Sequence, residues 1–182
     1  MSAIRPVNSN FERKANPMSD FGKRLREQKS SIDNEKAGED EKRKKERATR
    51  DAEIAAQIAL LKASVFPVLD NCRRELNAEG MDLLVKETFD VASYMVERSP
   101  SIEVTCGSPA RKSDGYRIES SALYVDVQGE NFRVGVKDRH SSSKPSKLTS
   151  VSSEDVAEKL EGILVDLAGQ ALKEWKDSPV AR

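Results

Sequence analysis

The stretch from Tyr116 to Asp138, YRIESSALYVDVQGENFRVGVKD, constrains the fold of this chain more than any other. Apolar and polar residues alternate on both sides of Gly129-Glu130, as they do in two antiparallel strands joined by a tight turn. With glycine first in a two-residue turn, Val127 faces Phe132, Val125 faces Val134 and Leu123 faces Val136. All six apolar side chains then share one face, which needs a cover. Their alternates Tyr124, Asp126, Arg133 and Gly135 point the other way, and that face is expected to be largely wet.

A cover is encoded near the C-terminus. Ser152 or Ser153 is placed to cap a helix with Glu154 and Asp155 in its first turn, where the helix dipole favours carboxylates. Val156, Leu160, Ile163, Leu164, Leu167, Ala171 and Trp175 recur at helical spacing along one face, and Ser178-Pro179 ends the run. Between hairpin and helix, DRHSSSKPSKLTSVS has no period and reads as a mobile loop. Upstream, SIEVTC at residues 101–106 alternates between Pro100 and Gly107 as a short strand does. Residues 81–98 carry two competing periods. Leu83, Val85, Phe89, Val91 and Met95 suit a strand, whereas Met81, Leu84, Val85, Thr88, Ala92 and Met95 suit a helical face; the density of Val, Thr, Phe and Tyr favours the strand.

From Glu41 to Gly80 strong helix formers follow one another without a glycine. Ile54, Ile58, Leu61, Val65, Leu69, Cys72 and Leu76 form an apolar stripe with coiled-coil-like spacing, either a core-facing surface or a seam for a second copy. Pro67 is expected to kink or break this helix around residues 64–67. Residues 41–52 have no apolar stripe and read as a solvated, charged first part. Before them, residues 1–40 hold only scattered apolar side chains and are expected to be disordered or transiently helical. Phe21 and Leu25, four apart behind Ser19-Asp20, could form a short helix on contact with a partner.

These elements describe an α+β protein: a disordered N-terminal arm (1–40), a module (41–178) with a long helix, an antiparallel sheet of about three to five strands and a C-terminal helix on one sheet face, and a short tail (179–182). No internal repeat is visible, which sets solenoids and propellers aside.

Charge and cysteine content narrow the function classes. Lysine plus arginine equals aspartate plus glutamate at 31 each, so no net field draws the whole chain to nucleic acid or an anionic surface. The charge is divided, with 14 basic and 9 acidic side chains in residues 1–50 and an acidic excess after them. Cys72 and Cys106 lie far apart, outside any Cys-x-x-Cys pair, so zinc and redox motifs lack their ligands and a reducing cytoplasmic setting is expected. The N-terminus lacks a secretory apolar core, and no stretch is expected to span a membrane.

No phosphate-binding glycine loop, His-Glu-x-x-His pair or Gly-x-Ser-x-Gly elbow is present, and no catalytic residue, cofactor or metal ligand is assigned. The single histidine, His140, has no partner at readable spacing. The carboxylates Glu119, Asp126, Glu130 and Asp138 are read as solubilising groups. The pattern therefore points to a non-enzymatic protein-binding or adaptor module whose charged arm engages another protein through Phe11, Phe21 and Leu25. Homodimerisation through Ile54, Ile58, Leu61 and Val65 is a further expectation. An alternative is a nucleic-acid-associated protein using Lys42, Arg43, Lys44, Lys45, Arg47 and Arg50, although Glu39, Asp40, Glu41 and Glu46 dilute that run. A third reading is an enzyme without a short signature, with a polar pocket lined by Glu119, Tyr124, Arg133 or His140.

Overall fold

The computed structural model describes residues 17–91, 99–111, 115–139, 141 and 143–178. Contacts divide the chain into two compact units, Met1–Glu46 and Arg47–Arg182.

In the first unit, helix α1 (Pro17–Ser64) begins, and it continues into the second. Regular helix is therefore present from residue 17, well before the change in sequence character at Glu41. From Asp20 to Thr49 every side chain is exposed, apart from half-buried Gly22. Exposed i,i+4 pairs, Arg24 with Asp20 and Arg43 with Glu39, accompany the helix. Such pairs contribute only about 0.3–0.5 kcal/mol each, so local propensity rather than burial sustains this stretch.

In the second unit, α1 ends at Ser64 and α2 (Phe66–Ala78) starts beyond Val65. Pro67 sits in the first turn of α2, where its missing N–H leaves no hydrogen bond unmade. The break falls where proline predicts it. Leu61, Val65 and Leu69 are nevertheless all buried, so the apolar stripe continues across it into the core. One part of Asp20–Ala78 is long and apolar enough, by length and composition only, to cross a membrane. The same part supplies Leu61, Val65, Val68 and Leu69 to the core.

Gly80 adopts φ +72°, and the Met81 N–H donates to the Leu76 carbonyl, turning the chain into the sheet. Five antiparallel strands follow in sequence order: β1 (Asp82–Thr88), β2 (Ser101–Gly107), β3 (Glu119–Gln128), β4 (Asn131–Lys137) and β5 (Thr149–Val151). The ambiguous segment is thus strand over 82–88; residues 92–98 lie outside the described ones. The hairpin register matches the sequence reading, with Val127 opposite Phe132, Val125 opposite Val134 and Leu123 opposite Val136. Gly129, at φ +63°, opens the turn. Strand β5 was not foreseen. It is three residues long and pairs with β4 inside the stretch read as a loop.

Helix α3 (Val156–Asp177) starts later than expected, with Asp155 at its N-cap. Ser152 instead caps the preceding turn: its hydroxyl donates to Asp155 Oδ2 at 2.6 Å and accepts from the Asp155 N–H at 3.2 Å. α2 and α3 cover the sheet face that carries Leu83, Ile102, Val104, Cys106, Leu123, Val125, Val127, Phe132 and Val134. Val156, Leu160, Leu164, Leu167, Ala168 and Ala171 of α3 close this core.

Candidate functional site

Around β3 the outward face of the sheet is buried, whereas the sequence suggested that it is largely wet. Tyr124 is 2% exposed and Asp126 fully buried. Strand register aligns Ser101, Asp126 and Arg133 across β2, β3 and β4, with Glu103, Tyr124 and Gly135 in the adjacent row. Arg133 grips the Asp126 carboxylate with both arms, Nε to Oδ1 at 2.7 Å and Nη2 to Oδ2 at 2.6 Å. The Tyr124 hydroxyl donates to Oδ2 at 3.0 Å, and Lys144 Nζ reaches the same oxygen at 3.4 Å. Beside this cluster, Lys137 Nζ donates to Glu103 Oε1 at 2.8 Å.

The returning loop explains the burial. A Cβ built on Gly135 would stand 2.5 Å from the Lys147 carbonyl oxygen, 2.9 Å from Leu148 Cδ2 and 3.2 Å from Pro145 Cβ. Residues 143–148 therefore lie directly on β4, where only glycine leaves room, and Lys144 adds its charge from this strap. Alternation located the outward face, but nothing in a serine-rich segment without a period signals that it folds over that face.

Chemically the cluster is closed. Burial, followed by the nearby Asp126 charge, raises the Tyr124 phenol above its ordinary pKa, so it stays a protonated donor. Donating hydrogen bonds to Asp126 holds Arg133 in its charged form. Both carboxylate oxygens of Asp126 accept hydrogen bonds, Oδ1 from Arg133 and Oδ2 from Arg133, Tyr124 and Lys144. Glu119 and Glu130 stand apart from it: Glu119 pairs with Gly107 at the far end of β3, and Glu130 occupies the hairpin turn. Arg139 donates to the backbone carbonyl of Glu119 at 2.6 Å and pairs with Glu174 at 3.6 Å. Asp138 follows β4 and is exposed; His140 lies outside the described residues. Among the described residues, no group of three or more His, Cys, Asp or Glu side chains is placed to hold a metal ion.

A second feature is apolar. α2 and α3 leave between them a hollow of about 430 Å³, lined by Cys72, Leu76, Met81, Ala168 and Leu172, with Glu75 and Glu79 at its margin. Burial, and then Glu161 and Glu75, raise the Cys72 thiol above its usual pKa, which keeps it a neutral, poor nucleophile. This hollow exists only where the stripes of two separate helices meet, so neither stripe alone reveals it.

The third feature is the N-terminal part of α1. Phe21 is 68% exposed, Leu25 55% and Ile32 51%. At 100° per residue these three lie within about 40° of one another on the helix. Phe11 lies outside the described residues. Ile32 joins this row because the helix runs on through it, beyond the short segment around Phe21 and Leu25 expected from the sequence. Lys42, Arg43, Lys44, Lys45 and Arg47 are exposed on the same helix, while Arg50 is half-buried and pairs with Glu53 at 3.3 Å.

Comparison with protein-family models, with curated proteins and with solved structures returns no match.

Proposed function

We propose that this chain is a non-enzymatic protein-binding module whose N-terminal helix presents Phe21 and Leu25 to a macromolecular partner. One observation carries this reading: three large apolar side chains, Phe21, Leu25 and Ile32, share one face of a charged helix and are more than half exposed. Keeping them in water costs roughly 25 cal/mol for each Å² of apolar surface, a cost recovered when another apolar surface covers them. A row of anchors four and seven residues apart is how an amphipathic helix enters a groove on another protein. The closed Asp126 cluster favours a structural over a catalytic role for the sheet.

Quantitative affinity enrichment of the full chain against a Phe21→Asp/Leu25→Asp variant tests the proposal. Partners should be enriched with the parent chain and lost with the variant, while both unfold at the same temperature. Equal recovery by the variant would remove this surface from the function.

A second reading, nucleic-acid association through Lys42 to Arg50, draws on the exposure of five of those six cations. Phosphate contact would make affinity fall steeply with added salt. Binding that is absent at low salt, or insensitive to salt, excludes it.

A further inference from the structure

The outward surface of α3 is self-complementary. Leu160, Leu164, Leu167, Ala168 and Ala171 face the core. The opposite side displays Gly162, Val165 and Gly169, with half-buried Leu172 beside them. Val165 is 71% exposed, the most exposed of the large apolar side chains among the described residues. It stands between a hollow shared with α2, to which Gly169 and Leu172 contribute from this side, and a second one lined by Glu158, Gly162 and Asp166. At Gly162 and Gly169 a Cβ would meet nothing within 4 Å, so both positions are open notches. Two exposed glycines inside a 22-residue helix lower its intrinsic stability, which a purely solvent-facing surface does not require.

We infer that two copies of this chain associate through an antiparallel pairing of their α3 helices. A two-fold axis makes every contact occur twice, with residue i against j and j against i. Set Val165 opposite the partner's Gly169, and the same register puts Leu172 opposite the partner's Gly162. Each apolar ridge then enters a glycine notch, which permits the close helix approach of well-packed pairs. The charges agree without further adjustment. Glu158 falls opposite the partner's Lys176, both on the middle line of the seam. Among the described residues neither side chain has an ion-pair partner within its own chain. A parallel pairing would instead bring like charges together at both ends.

This surface differs from the stripe that the sequence suggested for pairing. Ile54, Leu61 and Val65 of that stripe are buried within a single chain, whereas the α3 surface is open. The pairing is also independent of Phe21 and Leu25.

Sedimentation equilibrium of the full chain tests it. The parent protein should approach twice its 20.2 kDa mass as concentration rises. Gly169→Leu fills the notch while improving helix propensity, so it should keep the helical signal and thermal stability of a diluted sample yet weaken association by about tenfold or more. Lys176→Glu should weaken association as well, and the double variant Glu158→Lys/Lys176→Glu should restore it by exchanging the signs of the pair. A chain that stays monomeric at all concentrations overturns the inference. So does a dimer indifferent to Gly169→Leu, or a charge exchange that fails to recover what Lys176→Glu loses.

Discussion

Arg133 grips the fully buried carboxylate of Asp126 through two hydrogen bonds of 2.7 and 2.6 Å across neighbouring strands. The carboxylate is also the acceptor for Tyr124 and Lys144, so its removal would take the acceptor from three side chains at once. Breaking a buried pair by deleting one partner costs about 3–5 kcal/mol, and the partial exposure of Arg133 moves this case to the lower end. Asp126→Ala should therefore lose about 3 kcal/mol in urea unfolding. Asp126→Val/Arg133→Met, which removes both charges, should lose clearly less. Equal losses from the single and double variants would show that the pair itself is not what stabilises this face.

The strap over β4 depends on a missing side chain. Gly135→Ala would place a Cβ 2.5 Å from the Lys147 carbonyl oxygen, a backbone atom, with Leu148 Cδ2 and Pro145 Cβ also crowding it at 2.9 and 3.2 Å. Forced overpacking of this kind costs about 1–3 kcal/mol. The expected outcome is a lifted strap, seen as faster trypsin cleavage after Lys147 at temperatures well below unfolding. Unchanged cleavage would mean that the strap accommodates the methyl group in place.

The sequence disclosed the features governed by short-range rules. Alternation around Gly129-Glu130 gave the hairpin register residue by residue, Pro67 gave the helix break, and the spacing of Leu160, Leu164, Leu167 and Ala171 gave the covering face of α3. The misses arise where a distant segment decides. Asp126 alternates outward and reads as solvated, and only the return of residues 143–148 buries it. Strand β5 is too short to show a period, and its identity comes from pairing with β4. Helix over 17–40 carries almost no apolar stripe, so a method that looks for buried faces passes over it. The α3 surface with Val165 between two notches was hidden by attention to the inward side of the same helix.

Cys106 links stability to alkaline pH. Its thiol is buried beneath α3, with Sγ 3.7 Å from the Leu164 carbonyl oxygen, and burial, followed by the neighbouring Cys72, pushes its pKa from 9.0 up to about 12. An unfolded chain releases this proton at the ordinary value, whereas the folded chain retains it. The unfolded state then binds fewer protons, and stability falls as pH rises. The contribution is present in full below pH 9 and is lost toward about pH 12. Tyr124, also raised, acts in the same direction above pH 10. Cys106→Ala should cost about 1 kcal/mol at neutral pH through lost packing, but should decline less steeply between pH 9 and 12 in chemical unfolding. Parallel declines in the two proteins would locate the alkaline sensitivity elsewhere.

Leu25 and Leu61 belong to the same helix yet should answer mutation differently. Leu61 is fully buried in the core with Val65 and Leu69, so Leu61→Ala removes buried methyl groups and leaves a void, at a cost of about 2–5 kcal/mol. Leu25 is 55% exposed, and Leu25→Ala should change stability by less than about 0.5 kcal/mol. Extending that logic, deletion of residues 1–40 removes no residue of the core cluster and should leave the thermal midpoint of the remaining chain nearly unchanged. Thermal unfolding of the three proteins checks all of this together. A large fall in midpoint on truncation would mean that the N-terminal stretch stabilises the module through contacts of its own, and the assignment of Phe21 and Leu25 to a partner would lose its basis.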